Sequence, residues 1–245
     1  MSELAALIFD VDGTLADTEE LHRQAFNQAF AEEGLDWHWS PALYTELLAI
    51  SGGKERLRAY WQRMRPGIQA LDALALEASI VRLHELKTAV YESRVAAGEL
   101  QLRPGVQALI EAAPAAGLQL AIATTTSPVN IAALLRRTLG PDWGLRFAVI
   151  EDASTAPLKK PHPQVYRQTL ARLGLTARAC LAFEDSANGL AAARGVGLAT
   201  VITPTDYTAH HDFSAALRRC ESLDGITPGV LRAWHRESLT CLEAP

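Results

Sequence analysis

The chain has 245 residues, 49% of them hydrophobic and 21% charged, which excludes a disordered segment, a collagen-like repeat and a small disulfide-stapled scaffold. Acidic residues outnumber basic ones by 28 to 23, for a net charge of −5. With no basic tract, neither nucleic acid nor an anionic membrane is an expected partner, and an anionic substrate would have to be drawn by local Lys and Arg against the global charge.

The opening run Leu4-Ala5-Ala6-Leu7-Ile8-Phe9 is too short for a core helix and stops at Asp10-Val11-Asp12-Gly13, the pattern of a strand buried on both faces. Residues 17–92 then read as helix after helix. Residues 18–33 repeat apolar side chains at Leu21, Ala25, Phe26, Ala29 and Phe30. Ser40-Pro41 offers an N-cap and an N1 proline to a helix running to Ile50. Gly52-Gly53 interrupts, residues 54–65 resume, Pro66-Gly67 breaks again, and residues 70–97 form one long helical pattern.

From there the periods alternate. Apolar runs at 118–123, 147–150, 180–183 and 198–202 predict strands, and residues 105–116, 128–139, 163–173 and 187–194 predict the helices between them. Ser127 before Pro128 marks a helix start, Gly174 and Gly195 mark ends, and Pro114 predicts a kink or an early stop. This alternation predicts an α/β fold: a doubly wound parallel sheet built from residues 1–16 and 93–245, with an all-α cap domain (17–92) inserted over the sheet's carboxyl edge. Residues 14–17 and 93–103 would be the hinges, and residues 203–245 read as little more than surface helix and tail.

Parallel sheets place ligands beyond the carboxyl ends of their strands. Four such ends carry polar residues here: Asp10, Thr124, Glu151-Asp152 and Glu184-Asp185. Asp10 and Asp12, two apart, leave the backbone on the same side and repel unless a cation or a shared proton intervenes. A hard divalent cation would accept such oxygens, and a carboxyl kept protonated would serve as a general acid. Asp and Gly also favour turns, so Asp-x-Asp-Gly taken alone is equally compatible with a plain turn.

The segment Asp10-Val11-Asp12-Gly13-Thr14-Leu15 resembles the first signature of the haloacid dehalogenase superfamily of phosphohydrolases, and three further signatures follow in order. These are Thr124 in Ala123-Thr124-Thr125-Thr126-Ser127, Lys160 in Lys159-Lys160-Pro161-His162-Pro163, and Glu184-Asp185 before Ser186-Ala187-Asn188-Gly189. The resemblance implies that Asp10 is a nucleophile forming an aspartyl-phosphate and that Asp12 is general acid and base. It implies that Thr124 and Lys160 bind the phosphoryl group, and that Mg²⁺ is held by Asp10, Asp185 and the Asp12 carbonyl, with Glu184 nearby, beside the ion or behind the groups that hold it. The helical insert is similar to the cap of the beta-phosphoglucomutase-like subfamily. Gly52-Gly53-Lys54-Glu55-Arg56 and Lys159-Lys160-Pro161 are most similar to the CbbY group, which dephosphorylates xylulose 1,5-bisphosphate, an inhibitor of rubisco in carbon dioxide fixation by the Calvin cycle. Substrate-binding candidates are accordingly Glu19, His22, Lys54, Arg56 and Lys87 of the insert, with Thr125. The expected partner is a small phosphorylated sugar.

A phosphomutase using the same aspartyl-phosphate is the alternative; a dehalogenase would have no use for Asp12 and a metal. A binding protein lacking the chemistry would be expected to have lost one of the motifs, and a response-regulator-like phosphoacceptor would have no helical insert. Cys180, Cys220 and Cys241 form no C-x-x-C pair, so neither a disulfide framework nor a zinc site is expected. No apolar run reaches the ~18 residues of a membrane helix and no signal-peptide pattern is visible; a cytoplasmic monomer is the expectation.

Overall fold

The computed structural model describes residues 3–64 and 73–243. The expected break at Pro66-Gly67, and residues 65 and 70–72 of the flanking helical patterns, lie outside the described residues. In chain order, β1 (Ala6–Phe9) is followed by four helices, α1 (Glu19–Glu32), α2 (Pro41–Leu47), α3 (Gly53–Met64) and α4 (Ala73–Ala96). Then come α5 (Val106–Ala115), β2 (Gln119–Ala123), α6 (Pro128–Leu139), β3 (Val149–Glu151), α7 (Gln164–Leu173), β4 (Cys180–Glu184), α8 (Ala187–Arg194), β5 (Ala199–Ile202), β6 (Arg218–Arg219) and α9 (Pro228–Glu243). By its contacts the chain divides into two units, Met1–Asp17 with Leu100–Pro245, and Thr18–Glu99.

The first unit is the α/β one. Its strands pair in parallel throughout, in the order β3-β2-β1-β4-β5-β6. The continuous apolar run of β1 has its reason in this order: β1 lies between β2 and β4 with all four residues buried, so neither face tolerates a polar residue. Phe9 stacks on Phe183 of β4 with ring centroids 4.5 Å apart. From β1 the chain steps outward to β2 and β3, then returns to β4 on the other side and proceeds to β5 and β6. The reversal falls between β1 and β4, where a doubly wound sheet opens its ligand crevice.

Local signals explain the helix ends. Ser127 Oγ accepts from the Asn130 amide at 3.3 Å and starts α6, and α5 stops at Ala115, one residue past Pro114. Two features escaped the sequence reading. β6 is a pair of arginines whose guanidinium groups lie over Trp234 and Phe213, with no apolar run to announce it. The C-terminal helix α9 is more than a surface element, because it buries Leu231, His235 and Leu239. His235 Nε2 lies 2.7 Å from the Arg178 carbonyl.

The second unit is all-helical. α1 carries Phe26 and Phe30 into an aromatic cluster with Trp37, Trp39, Tyr44 and Tyr60. Asn27 pins the cluster's backbone, accepting from the Trp39 amide at 2.7 Å and donating to its carbonyl at 3.0 Å. Ser40 Oγ caps α2 by accepting from the Leu43 amide. The long helix α4 runs beyond residue 92 to Ala96 because Tyr91 and Val95 are still buried. Among the described residues no helix is long and apolar enough to cross a membrane.

Gly105, before α5, has φ +83, and a Cβ on it would stand 2.0 Å from the Leu223 carbonyl. Gly117 has φ +73 with nothing within 4 Å. Gly117→Ala is therefore expected to cost only backbone strain, about 1–2 kcal/mol. Gly105→Ala should cost at least about 2 kcal/mol more, because backbone cannot yield as a flexible side chain can. Urea-denaturation midpoints of the two variants compare them directly, and equal midpoints would contradict the steric argument.

Candidate active site

The ladder of β1 extends one residue past the strand, since the Asp10 amide donates to the Phe183 carbonyl at 3.0 Å. The chain then turns at once. The Gly13 amide donates to the Ala16 carbonyl (2.8 Å) and the Leu15 amide to the Val11 carbonyl (2.9 Å). Gly13 is required twice over: its φ is +75, and a Cβ on it would stand 2.3 Å from Asp185 Oδ2.

Lys160 enters from the segment between β3 and α7. Its Nζ donates to Asp10 Oδ1 at 2.6 Å, to Glu184 Oε1 at 2.6 Å and to the Ala123 carbonyl at 2.9 Å. Three ammonium protons meet three acceptors, so the charge is held without help from water. Tyr166 of α7 donates its hydroxyl to the same Glu184 oxygen at 2.5 Å, and Lys160 Nζ lies 5.2 Å over its ring. Tyr166 was not anticipated. It sits on the buried face of α7 with Val165, Thr169 and Leu170, where the apolar pattern conceals a polar tip.

Asp10, Lys160, Glu184 and Asp185 are all buried. Burial pushes the Asp10 carboxyl above its ordinary value; Lys160 and the Thr124 hydroxyl oppose that rise and the Asp12 charge adds to it. Burial likewise lifts Glu184 to about 7 against the pull of Lys160. Burial alone would depress Lys160, but the Asp10 and Glu184 carboxylates more than reverse this and hold it charged. The cluster thus has more acid than one ammonium balances. One oxygen from each of Asp10, Glu184 and Asp185 lies within 4.8 Å of the others, and Glu184 Oε2 is buried with no hydrogen-bond partner among the described residues. An all-oxygen, anionic, buried donor set of this kind suits a hard divalent cation. The Asp12 carboxylate is not one of the three.

Thr124 ends β2 with its amide on the Glu151 carbonyl at 3.0 Å, and Thr125 follows it, half-buried. The remaining strand-end acids are occupied locally: Glu151 bonds Arg172 at 2.7 Å, and Asp152 accepts from the Ser154 amide and hydroxyl. In the helical unit, Lys87 Nζ lies 2.8 Å from His22 Nδ1, with His22 stacked on Tyr91. Arg56 donates to the Tyr44 hydroxyl, which donates to Glu19, each at 3.0 Å. Lys87 and Arg56 are buried, whereas Lys54 is exposed.

A carboxyl titrating near 7 when folded and near 4.5 when unfolded takes up a proton on folding, so its contribution to stability is present at low pH and lost as pH rises between those values. In metal-free protein, the melting temperature of the wild type relative to Glu184→Gln is therefore expected to fall between about pH 5 and pH 8. A constant difference would contradict the burial argument.

The comparisons agree with this geometry. Residues 4–197 match the family model of the haloacid dehalogenase-like hydrolases. The plasmid-encoded CbbY protein of Cupriavidus necator is 51% identical, over 96% of this chain and 98% of its own length, and CbbY of Rhodobacter capsulatus is 50% identical over 87% and 91%. Among solved structures, a mutant of Rhodobacter sphaeroides CbbY in complex with xylulose 1,5-bisphosphate superposes with a TM-score of 0.85 at 42% identity, covering 93% of this chain and 99% of that one. Taken with the α/β sheet, the helical insert and the acid cluster at the end of β1, these matches establish that the chain belongs to the haloacid dehalogenase-like hydrolases.

Proposed function

We propose that the chain is a Mg²⁺-dependent phosphatase that removes one phosphate from a small sugar bisphosphate, xylulose 1,5-bisphosphate, through a phosphoaspartate at Asp10. The observation that carries this reading is the Asp10 carboxylate, buried at the sheet's switch point, bonded to Lys160 and grouped with two further acids whose oxygens lie within 4.8 Å of one another. The CbbY relatives supply the substrate, since one of them was solved with xylulose 1,5-bisphosphate.

Asp10, Asp185 and Glu184, with the Asp12 carbonyl, would hold the ion. Bound Mg²⁺ would supply positive charge to the phosphoryl oxygens, which otherwise repel an attacking carboxylate. The Asp10 oxygen attacks phosphorus as the bond to the sugar oxygen breaks, and Asp12 delivers the proton that the departing alkoxide needs. Lys160 and Thr124 stabilise the phosphoryl oxygens throughout. Asp12, now ionised, takes a proton from water as that water attacks the phosphoaspartate, which frees Asp10 and inorganic phosphate. Within the helical unit, Lys87 and Arg56 supply the positive charge that a second phosphate demands, with His22, Glu19 and Lys54 beside them in sequence or contact. The free thiols of Cys180, pushed up to about 12 by burial, and Cys220 suit a reducing compartment such as the cytoplasm.

Purified protein is expected to release inorganic phosphate from xylulose 1,5-bisphosphate with Mg²⁺ and not with EDTA. Asp10→Asn should bring the rate to background, and Asp12→Ala should lower it by about 10²–10⁴-fold, the usual contribution of a general acid. An isomeric sugar phosphate formed without inorganic phosphate would instead identify a mutase.

A further inference from the structure

Arg103 lies in the segment leading into α5, where its amide donates to the Leu15 carbonyl at 2.8 Å and Leu102 bridges Ala16. Its guanidinium reaches three separate loops. One nitrogen donates to the Gly13 carbonyl and, at 2.6 Å, to the Thr203 carbonyl. The other donates to the carbonyls of Pro204 at 2.9 Å and Glu221 at 3.3 Å. These carbonyls follow β1, β5 and β6. Thr203 is itself tied to β4, its amide donating to the Glu184 carbonyl at 2.8 Å.

This half-buried guanidinium also meets the Thr203 hydroxyl at 3.3 Å and feels the charges of Asp17 and Asp185, but most of its hydrogen bonds go to main-chain oxygens and so fix peptide planes. The planar fork can engage several carbonyls at once, which a lysine ammonium on a flexible stem cannot reproduce. The plane it fixes next to β1 is the one following Gly13, the residue after Asp12. Gly13 also rests against the Asp185 carboxylate with no room for a Cβ. Arg103 thus ties the turn carrying Asp12 to the strand ends carrying Glu184 and the residues beyond it.

We infer that Arg103 is a positioning residue for the reaction, holding the Asp12–Gly13 turn so that the Asp12 carboxyl meets the departing oxygen. The inference rests on the phosphatase reading for its catalytic half and on the hydrogen bonds alone for its structural half. A misplaced general acid matters most when the leaving group needs a proton. A sugar alkoxide needs one; a p-nitrophenolate does not.

The test uses Arg103→Lys and Arg103→Ala in the full chain. Misplacements of an ångström cost about 10²-fold in favourable cases, so Arg103→Ala is expected to lower kcat on xylulose 1,5-bisphosphate by about tenfold or more. KM should change little, the rate on p-nitrophenyl phosphate should fall several-fold less, and Arg103→Lys should lie between. The ratio of the two rates is independent of the fraction of enzyme folded. In an Asp12→Asn background, Arg103→Ala should add no further loss on the sugar substrate. Equal losses on both substrates, or full additivity with Asp12→Asn, would overturn the positioning role. Hydrogen exchange decides the structural half without any assay: the Gly13 and Leu15 amides should exchange about tenfold faster in Arg103→Lys while those of β2 are unchanged. Unchanged exchange at Gly13 and Leu15 would defeat it. A wild type inactive on both phosphates would remove the phosphatase reading and the catalytic role together, leaving exchange to decide the turn's dependence on Arg103.

Discussion

One ammonium shared by two buried carboxylates governs the architecture of the site. Lys160 satisfies all three of its protons on Asp10, Glu184 and the Ala123 carbonyl, and so joins the ends of β1, β2 and β4 at a single atom. Without it, two acids would be buried with no countercharge, a condition proteins seldom tolerate. With it, the cluster still carries surplus negative charge, and that surplus is what makes the pocket a receptor for a cation. The same lysine therefore holds the site together and leaves Asp10, Glu184 and Asp185 able to take a divalent cation.

Much of this was legible in the residues. The apolar runs marked β1 to β5 because strands largely buried on both faces carry few polar residues, Gln119, Glu151, Glu184 and Thr200 being those of β2 to β5. The acids after them pointed to the sheet's carboxyl edge because three further motifs followed in order; Asp-x-Asp-Gly by itself suits a plain turn as well. Lys160 was legible through the motif around it; its threefold contact was not, since nothing in Lys159-Lys160-Pro161 tells which lysine turns inward. Tyr166 was hidden because an aromatic on a helix's apolar face reads as packing, and its hydroxyl shows only when Glu184 is placed opposite. β6 was hidden because two arginines have no hydrophobic signature. Gly13 was visible as a turn residue and Gly189 as part of a helix start, but the space they leave for the Asp185 and Glu184 carboxylates needs three dimensions.

The helical unit follows a different logic. It builds its own aromatic core around Phe26, Trp39 and Tyr44, and it keeps two cations, Lys87 and Arg56, out of water by setting them against rings and hydroxyls. Out of water, a cation attracts an anion more strongly than it would in solvent, although ring and hydroxyl contacts take up part of its charge. Lys54, exposed on the first turn of α3, is screened by solvent and salt.

The pairing of β1 with β4 has a consequence for how the protein is made. Asp10 emerges among the earliest residues of the chain, yet the strand that its amide bonds, its lysine and the two acids grouped with it are all encoded from residue 160 onward. At ribosomal speeds of about 5–20 residues per second, Asp10 spends roughly ten to thirty seconds without the neighbours it has in the folded sheet. A chain cut short before residue 160 therefore holds Asp10 without Lys160, Glu184 or Asp185 beside it.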